Sequence, residues 1–162
     1  MAQRHGPNRG LDRVGGEKDD IVNTVTFSPA GEKLVAGSMS FLVRVFTVDG
    51  QKLRQTASWK EGSPVQSVAY SADGALIAIG DLLGVVHVYD ANKPAAPLQT
   101  FRPDHDAPAL ALAFSKTSDR LAIGRGDRHI TIQRLTSASA APVVLDPRAG
   151  SQGSRLLSAI GF

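Results

Sequence analysis

From Ile21 onward the chain breaks into short apolar runs separated by polar turn signals. Typical runs are IVNTVTF, KLVAGS, LVRVFTV, PVQSVAY, LIAIG and VVHVYD, each of strand length and rich in β-branched residues. Ser28-Pro29-Ala30-Gly31 and Ser71-Ala72-Asp73-Gly74 read as tight hairpin turns. No convincing amphipathic helix interrupts them. The pattern predicts an all-β fold, with strands near 22–27, 33–38, 42–48 and 52–57 that recur about 43 residues further on.

The recurrence is visible position by position. A shift of 43 residues places Val22 on Val65, Val25 on Val68, Phe27 on Tyr70, Gly31 on Gly74, Gly37 on Gly80, Val45 on Val88 and Phe46 on Tyr89. A further shift of 44 places Tyr70 on Phe114, Ile77 on Leu121, Gly80 on Gly124, Val86 on Ile130 and Val88 on Ile132. A period of about 40–45 residues with four strands per unit is the mark of β-propeller blades. One four-stranded sheet cannot cover both its faces, so blades stack, and apolar residues appear at both parities, as in LLGVVHVYD. The glycines Gly37, Gly80 and Gly124 fall at the end of the second strand, where a sharp turn is expected.

These residues resemble the WD-repeat (WD40) family. The stretches that carry the resemblance are VNTVTFSPAGEKLVAGS followed by VRVFTV, VQSVAYSADGALIAIGD followed by VVHVYD, and LALAFSKTSDRLAIGRGD followed by ITIQRL. The third departs where Thr117-Ser118 replaces the turn's Asp-Gly. No unit has the family's Trp-Asp: Phe46-Thr47, Tyr89-Asp90 and Gln133-Arg134 stand there instead. The resemblance implies a WD40-type propeller of about three four-stranded blades plus the first strand of a fourth.

The units fall at about 21–62, 63–106 and 107–150, with an incomplete one at 151–162 that opens on Leu157-Ser158-Ala159-Ile160-Gly161-Phe162. Residues 1–20 read as a flexible N-terminal tail, with Arg4, Arg9, Arg13 and Lys18 balanced by Asp12, Glu17, Asp19 and Asp20. Three blades and one strand do not close a ring of four to eight. The expectation is a fragment of a longer protein or, failing that, self-association that completes the propeller.

Composition narrows the chemistry. The chain has 162 residues, 42% hydrophobic and 20% charged, an ordinary folded composition. No cysteine is present, which removes disulfides, thiolate metal sites and a cysteine nucleophile. No apolar run is long enough for a membrane-spanning helix, and the first twenty residues lack the apolar core of a secretory signal. A cytoplasmic location is expected, with the nucleus as the alternative. The net charge of +3 is too small to argue for nucleic acid by itself.

No nucleophile stands with a plausible base, and no phosphate-cradling loop appears, so neither an enzyme nor a cofactor is expected. His87 and His129 occupy equivalent strand positions in successive units, too far apart to share a metal. Arg125-Gly126-Asp127 spells an integrin-recognition tripeptide but falls in the tight turn between a second and a third strand. The function implied is a non-enzymatic scaffold for protein–protein binding. The alternative is a propeller that binds nucleic acid or phosphoinositide through its basic third repeat, where Lys116, Arg120, Arg125, Arg128 and Arg134 cluster.

Trp59 and Lys60 are expected in the loop between the first two units. An exposed tryptophan there is an interface anchor; the competing reading packs it between blades. Arg102, Arg125 and Arg128 complete the candidate partner-binding set. The family also places a histidine before the first strand and an aspartate in the turn after the second, joined by a hydrogen bond. His105 and Asp127 match those places in the third unit, and the network's next two places hold Ile123 and Gln133. The first two units hold Lys18 and Glu61 in the histidine place, and Ser40 and Leu83 in the aspartate place. The resemblance therefore implies a structural His105–Asp127 bond in the third unit alone.

Overall fold

A computed structural model of the chain describes residues 20–135 and 142–146. Twelve strands follow one another there without a helix: β1 (Val22–Phe27), β2 (Lys33–Ser38), β3 (Leu42–Asp49), β4 (Lys52–Lys60), β5 (Val65–Tyr70), β6 (Leu76–Asp81), β7 (Val86–Asp90), β8 (Gln99–Phe101), β9 (Ala109–Phe114), β10 (Arg120–Arg125), β11 (Ile130–Arg134) and β12 (Val143–Leu145). They form three four-stranded antiparallel sheets, each a meander in chain order. The incomplete fourth unit and most of the N-terminal tail lie outside the described residues.

The hairpins repeat because the backbone repeats. Gly31, Gly74 and Ser118 occupy equivalent places in the turns after β1, β5 and β9, and all three have positive φ, at 76°, 73° and 58°. Ser118 thus adopts the conformation that glycine takes in the first two blades. In the turns after β2, β6 and β10, Phe41, Gly84 and Arg128 share the left-handed region at 68°, 86° and 78°. A non-glycine residue there costs about 1–2 kcal/mol, so the sheet on either side holds the turn against local preference.

Two cores join the blades. Val35, Val43 and Val45 of the first blade pack against Val65, Val68, Ile77, Ile79 and Tyr89 of the second. Ala78, Val86 and Val88 on the second blade's other face pack against Ala109, Leu121 and Ile123 of the third. That is why both parities along β6 and β7 are apolar. Among the described residues no further blade covers the outer faces of the first and third sheets: Val25 and Phe27 are 58% and 59% exposed, and Val143 and Leu145 are 44% and 47% exposed.

The repeated glycines do not make the sharp turn expected of them. Gly37, Gly80 and Gly124 lie within strands and have no positive φ. Gly37 and Gly80 are instead points of close approach. A Cβ on Gly37 would overlap Val65 Cγ1, and one on Gly80 would meet Ala109 Cβ at 2.8 Å and Ser67 Oγ at 2.6 Å. Val65 and Ala109 are equivalent residues on the first strands of successive blades. Their carbonyls accept from the blade before, Val65 from Asn23 Nδ2 at 2.8 Å and Ala109 from Ser67 Oγ at 2.6 Å.

Candidate functional site

Polar side chains tie the entry segment of every blade to its third strand or preceding turn. In the first blade Asp20 pairs with Arg44 on β3 at 2.7 Å, both side chains only 4% exposed. Burial pushes the Asp20 carboxyl up, but Arg44 and the Ser40 and Ser38 hydroxyls outweigh it and hold it below the usual carboxylate range.

The second blade centres on Glu61, which enters just before β5. Trp59 Nε1–H donates to Glu61 Oε1 at 2.8 Å, and the Tyr89 hydroxyl donates to the same oxygen at 2.9 Å. His87 Nδ1 lies 2.7 Å from Oε2. His87 and Tyr89 are two residues apart on β7 and so share a face. The Trp59 and Tyr89 rings also pack together at a tilt of 52°, with centroids 5.0 Å apart. Burial pushes the Glu61 carboxyl up, yet the donors from His87, Trp59 and Tyr89 hold it below its usual range. Burial and the charge of Glu61 push the Tyr89 phenol above its ordinary value.

In the third blade His105 Nε2 lies 2.7 Å from Asp127 Oδ2. The His105 side chain is 63% exposed and that of Asp127 19%. Asp127 also accepts from the His129 backbone N–H at 2.9 Å and lies 3.1 Å from His129 Nδ1. The His129 backbone N–H is the largest of the influences that bring the Asp127 carboxyl down to about 2. Unlike Glu61, this pair stands at the rim.

The partner-binding candidates scatter. Trp59 and Lys60 are not in a loop: β4 continues through both, and Trp59 pairs with Val43. The strand runs on because alternate residues Ala57 and Trp59 pack onto the inter-blade core. Trp59 is therefore half-buried, whereas Lys60 is exposed. Arg125 is half-buried and donates from Nη1 to the Gly84 carbonyl at 2.9 Å. Arg102 and Arg128 are exposed. Arg125 and Asp127 of the tripeptide turn are both engaged within the fold. The basic residues of the third repeat divide between two edges, since Arg120 and Arg134 pair at one end of β10 while Arg125 and Arg128 lie at the other. Five residue steps at about 3.3 Å each put roughly 16 Å between those ends.

A cavity of about 290 Å³ opens between the second and third blades. Phe101, Arg102 and Pro103 line one side, Ile123, Thr131, Gln133 and Val144 the other, and Asp104, His105, Arg125, Asp127 and His129 stand around them. Among the described residues no group of three histidines, aspartates or glutamates is placed to hold a metal ion. No described helix is long and apolar enough to cross a membrane.

Comparison with known proteins agrees with this geometry. The model of the family described as "WD domain, G-beta repeat" matches residues 11–47. WD repeat-containing protein 1 of Rattus norvegicus is 29% identical over 113 residues, which is 69% of this chain and 18% of that protein. Protein SLOW WALKER 1 of Arabidopsis thaliana is 33% identical over 106 residues, 65% of this chain and 19% of its own length. The chain thus spans about a fifth of these relatives. The solved structure of U3-55K superposes with a TM-score of 0.69 at 18% identity, over 77% of this chain and 39% of that one. The sheet order, the repeated turns and these likenesses together give the described residues the fold of three successive WD40-type β-propeller blades and make the chain similar to WD-repeat proteins.

Proposed function

We propose that this chain is a non-enzymatic binding platform for other proteins. WD40 domains bind other proteins as a class, and the single observation that supports the reading here is the set of ties at Asp20–Arg44, Glu61–His87 and His105–Asp127. Each fixes the segment entering a blade against that blade's own sheet, so side chains at the blade edges are held in place before a partner arrives. Preorganisation of this kind lowers the ordering cost of binding. Lys60, Arg102 and Arg128 remain the exposed candidates for contact. A cytoplasmic or nuclear setting belongs to the same proposal.

A random-peptide display selection on the immobilised chain tests it. Sequence-selective retention that changes little between about 50 and 200 mM salt is the expected outcome. Retention of RNA or phosphoinositide vesicles that falls by orders of magnitude over that range would favour the phosphate-binding alternative. Failure to enrich any peptide sequence overturns the platform.

A further inference from the structure

The internal repeat supplies a model for the cavity between the second and third blades. In the preceding interface the rings of Trp59, His87 and Tyr89 gather at the equivalent place around Glu61. Trp59 stands opposite Val43, as Phe101 stands opposite the equivalent Val86. Tyr89 corresponds to Gln133 and His87 to Thr131. A phenol is thus replaced by an amide, an imidazole by a hydroxyl and an indole by a phenyl. His105, in the place of Glu61, bonds to Asp127 at the rim instead of reaching inward. The space that three rings share in one interface is held by one in the next, and the cavity of about 290 Å³ is what remains.

Its chemistry selects an occupant. An apolar cavity of about 150 Å³ accommodates benzene, whereas drug-sized ligands need about 300–1,000 Å³. The space therefore suits one large side chain. Gln133 is only 8% exposed and lines the cavity, and its amide has no partner among the described residues. It offers both a donor and an acceptor to an arriving polar group. The charges at the opening balance, with Arg102 and Arg125 against Asp104 and Asp127, so an anion is not favoured.

We propose that the cavity between the second and third blades receives a tyrosine or tryptophan side chain of a partner protein, seated where Tyr89 sits in the preceding interface. The aromatic ring lies against Phe101 and Ile123, and its hydroxyl or N–H meets the Gln133 amide. The inference deepens the platform reading and rests on it.

The test uses the whole chain and two probes, p-cresol and toluene, followed by NMR. p-Cresol is expected to shift the Gln133 side-chain amide and the Thr131 resonance, and to bind about fivefold tighter than toluene, one net hydrogen bond's worth. Gln133→Leu should abolish that preference. Joint Thr131→His and Gln133→Tyr, which rebuild the second blade's pair, should close the cavity and weaken p-cresol more than tenfold. Absence of any shift, shifts confined elsewhere, or undiminished binding by the closed variant overturns the proposal. Should the closed variant fail to fold, the Gln133→Leu comparison decides alone. The peptide selection separates the two readings. Aromatic peptides retained by the native chain and lost from the closed variant support both. Equal retention by both overturns the cavity proposal and leaves the platform standing. No retention by either overturns the platform and the partner side chain with it.

Discussion

The Glu61 carboxylate stands 2.7 Å from Nδ1 of His87, and this contact is the second blade's version of a tie that all three blades make. Asp20–Arg44 is also 2.7 Å, as is His105–Asp127. The partners differ in every case, and in two of the three the acid lies on the entry segment. What recurs is a charge-assisted bond between entry segment and sheet, not a residue pair.

Glu61 holds its blade through three donors at once. Glu61→Ala strands the Trp59 N–H, the Tyr89 hydroxyl and His87 in a largely buried site. Losing one member of a buried charged pair costs about 3–5 kcal/mol, and an expected loss of about 3 kcal/mol should appear in chemical denaturation. Glu61→Gln keeps one acceptor oxygen and should cost less. Equal stability of Glu61→Ala and the native chain would remove the hub's structural role.

Acid should undo the same hub. The folded Glu61 carboxyl titrates below its ordinary value, so its stabilisation is complete above about pH 4.3, the unfolded value. It is lost as pH falls through the lower folded value. Trp59, the sole tryptophan, bonds to this carboxylate and should report the loss through its emission. The native chain should lose stability more steeply than Glu61→Gln below about pH 4.3. Parallel pH profiles would show that Glu61 is not the group responsible.

Trp59→Ala distinguishes packing from partner contact. The indole packs at a tilt against Tyr89 and lies on the first inter-blade core. Truncating such a ring costs about 3 kcal/mol when fully buried, and somewhat less is expected at this half-buried position. A double-mutant cycle with Tyr89→Ala should show coupling. Unchanged melting with lost peptide retention would return Trp59 to the partner-binding set.

Gly80→Ala should destabilise by about 1–3 kcal/mol through overpacking, because the new methyl meets Ala109 and Ser67. Gly124→Ala has only Ala111 Cβ at 3.3 Å to displace and should cost much less. Thermal melts of the two variants side by side test the inter-blade account of the glycine column.

Asp127→Ala removes the acceptor for the His129 backbone N–H as well as for His105, and about 1–2 kcal/mol is expected. His105→Ala alone should lie within the 0–1 kcal/mol of exposed ion pairs. A double-mutant cycle should show a small coupling, and full additivity would deny the bond any energetic weight.

The first three strands of each described blade were legible because burial on both faces leaves a period in the apolar residues, whereas the fourth strands, β8 and β12, are shorter than that period implied. The Glu61 hub was not. Reading Glu61 as a missing histidine assumed that the entry segment must donate, whereas a carboxylate there inverts the polarity and recruits donors from β7. A signal existed: Trp59 and Glu61 are two residues apart, and so are His87 and Tyr89, which in extended chain puts each pair on one side. The end of β4 was misplaced for a related reason, since a strand's length depends on packing partners that its own residues do not name. The cavity was hidden because Thr131 and Gln133 look like ordinary polar strand residues until set beside His87 and Tyr89.

The glycine column carries a geometrical consequence. Gly37 against Val65 and Gly80 against Ala109 bring the second strand of one blade close against the first strand of the next. Farther along the sheets, indole, imidazole and phenol rings hold the first two blades apart. A stack thin at one edge and thick at the other is a set of wedges, and the taper fixes the angle through which each blade is rotated from the last. Enlarging Ala109 to valine, or shrinking Tyr89, changes that angle rather than any surface contact. The bulk of buried residues along each blade, weighed inner edge against outer, thereby governs the curvature at which such wedges would close a circle.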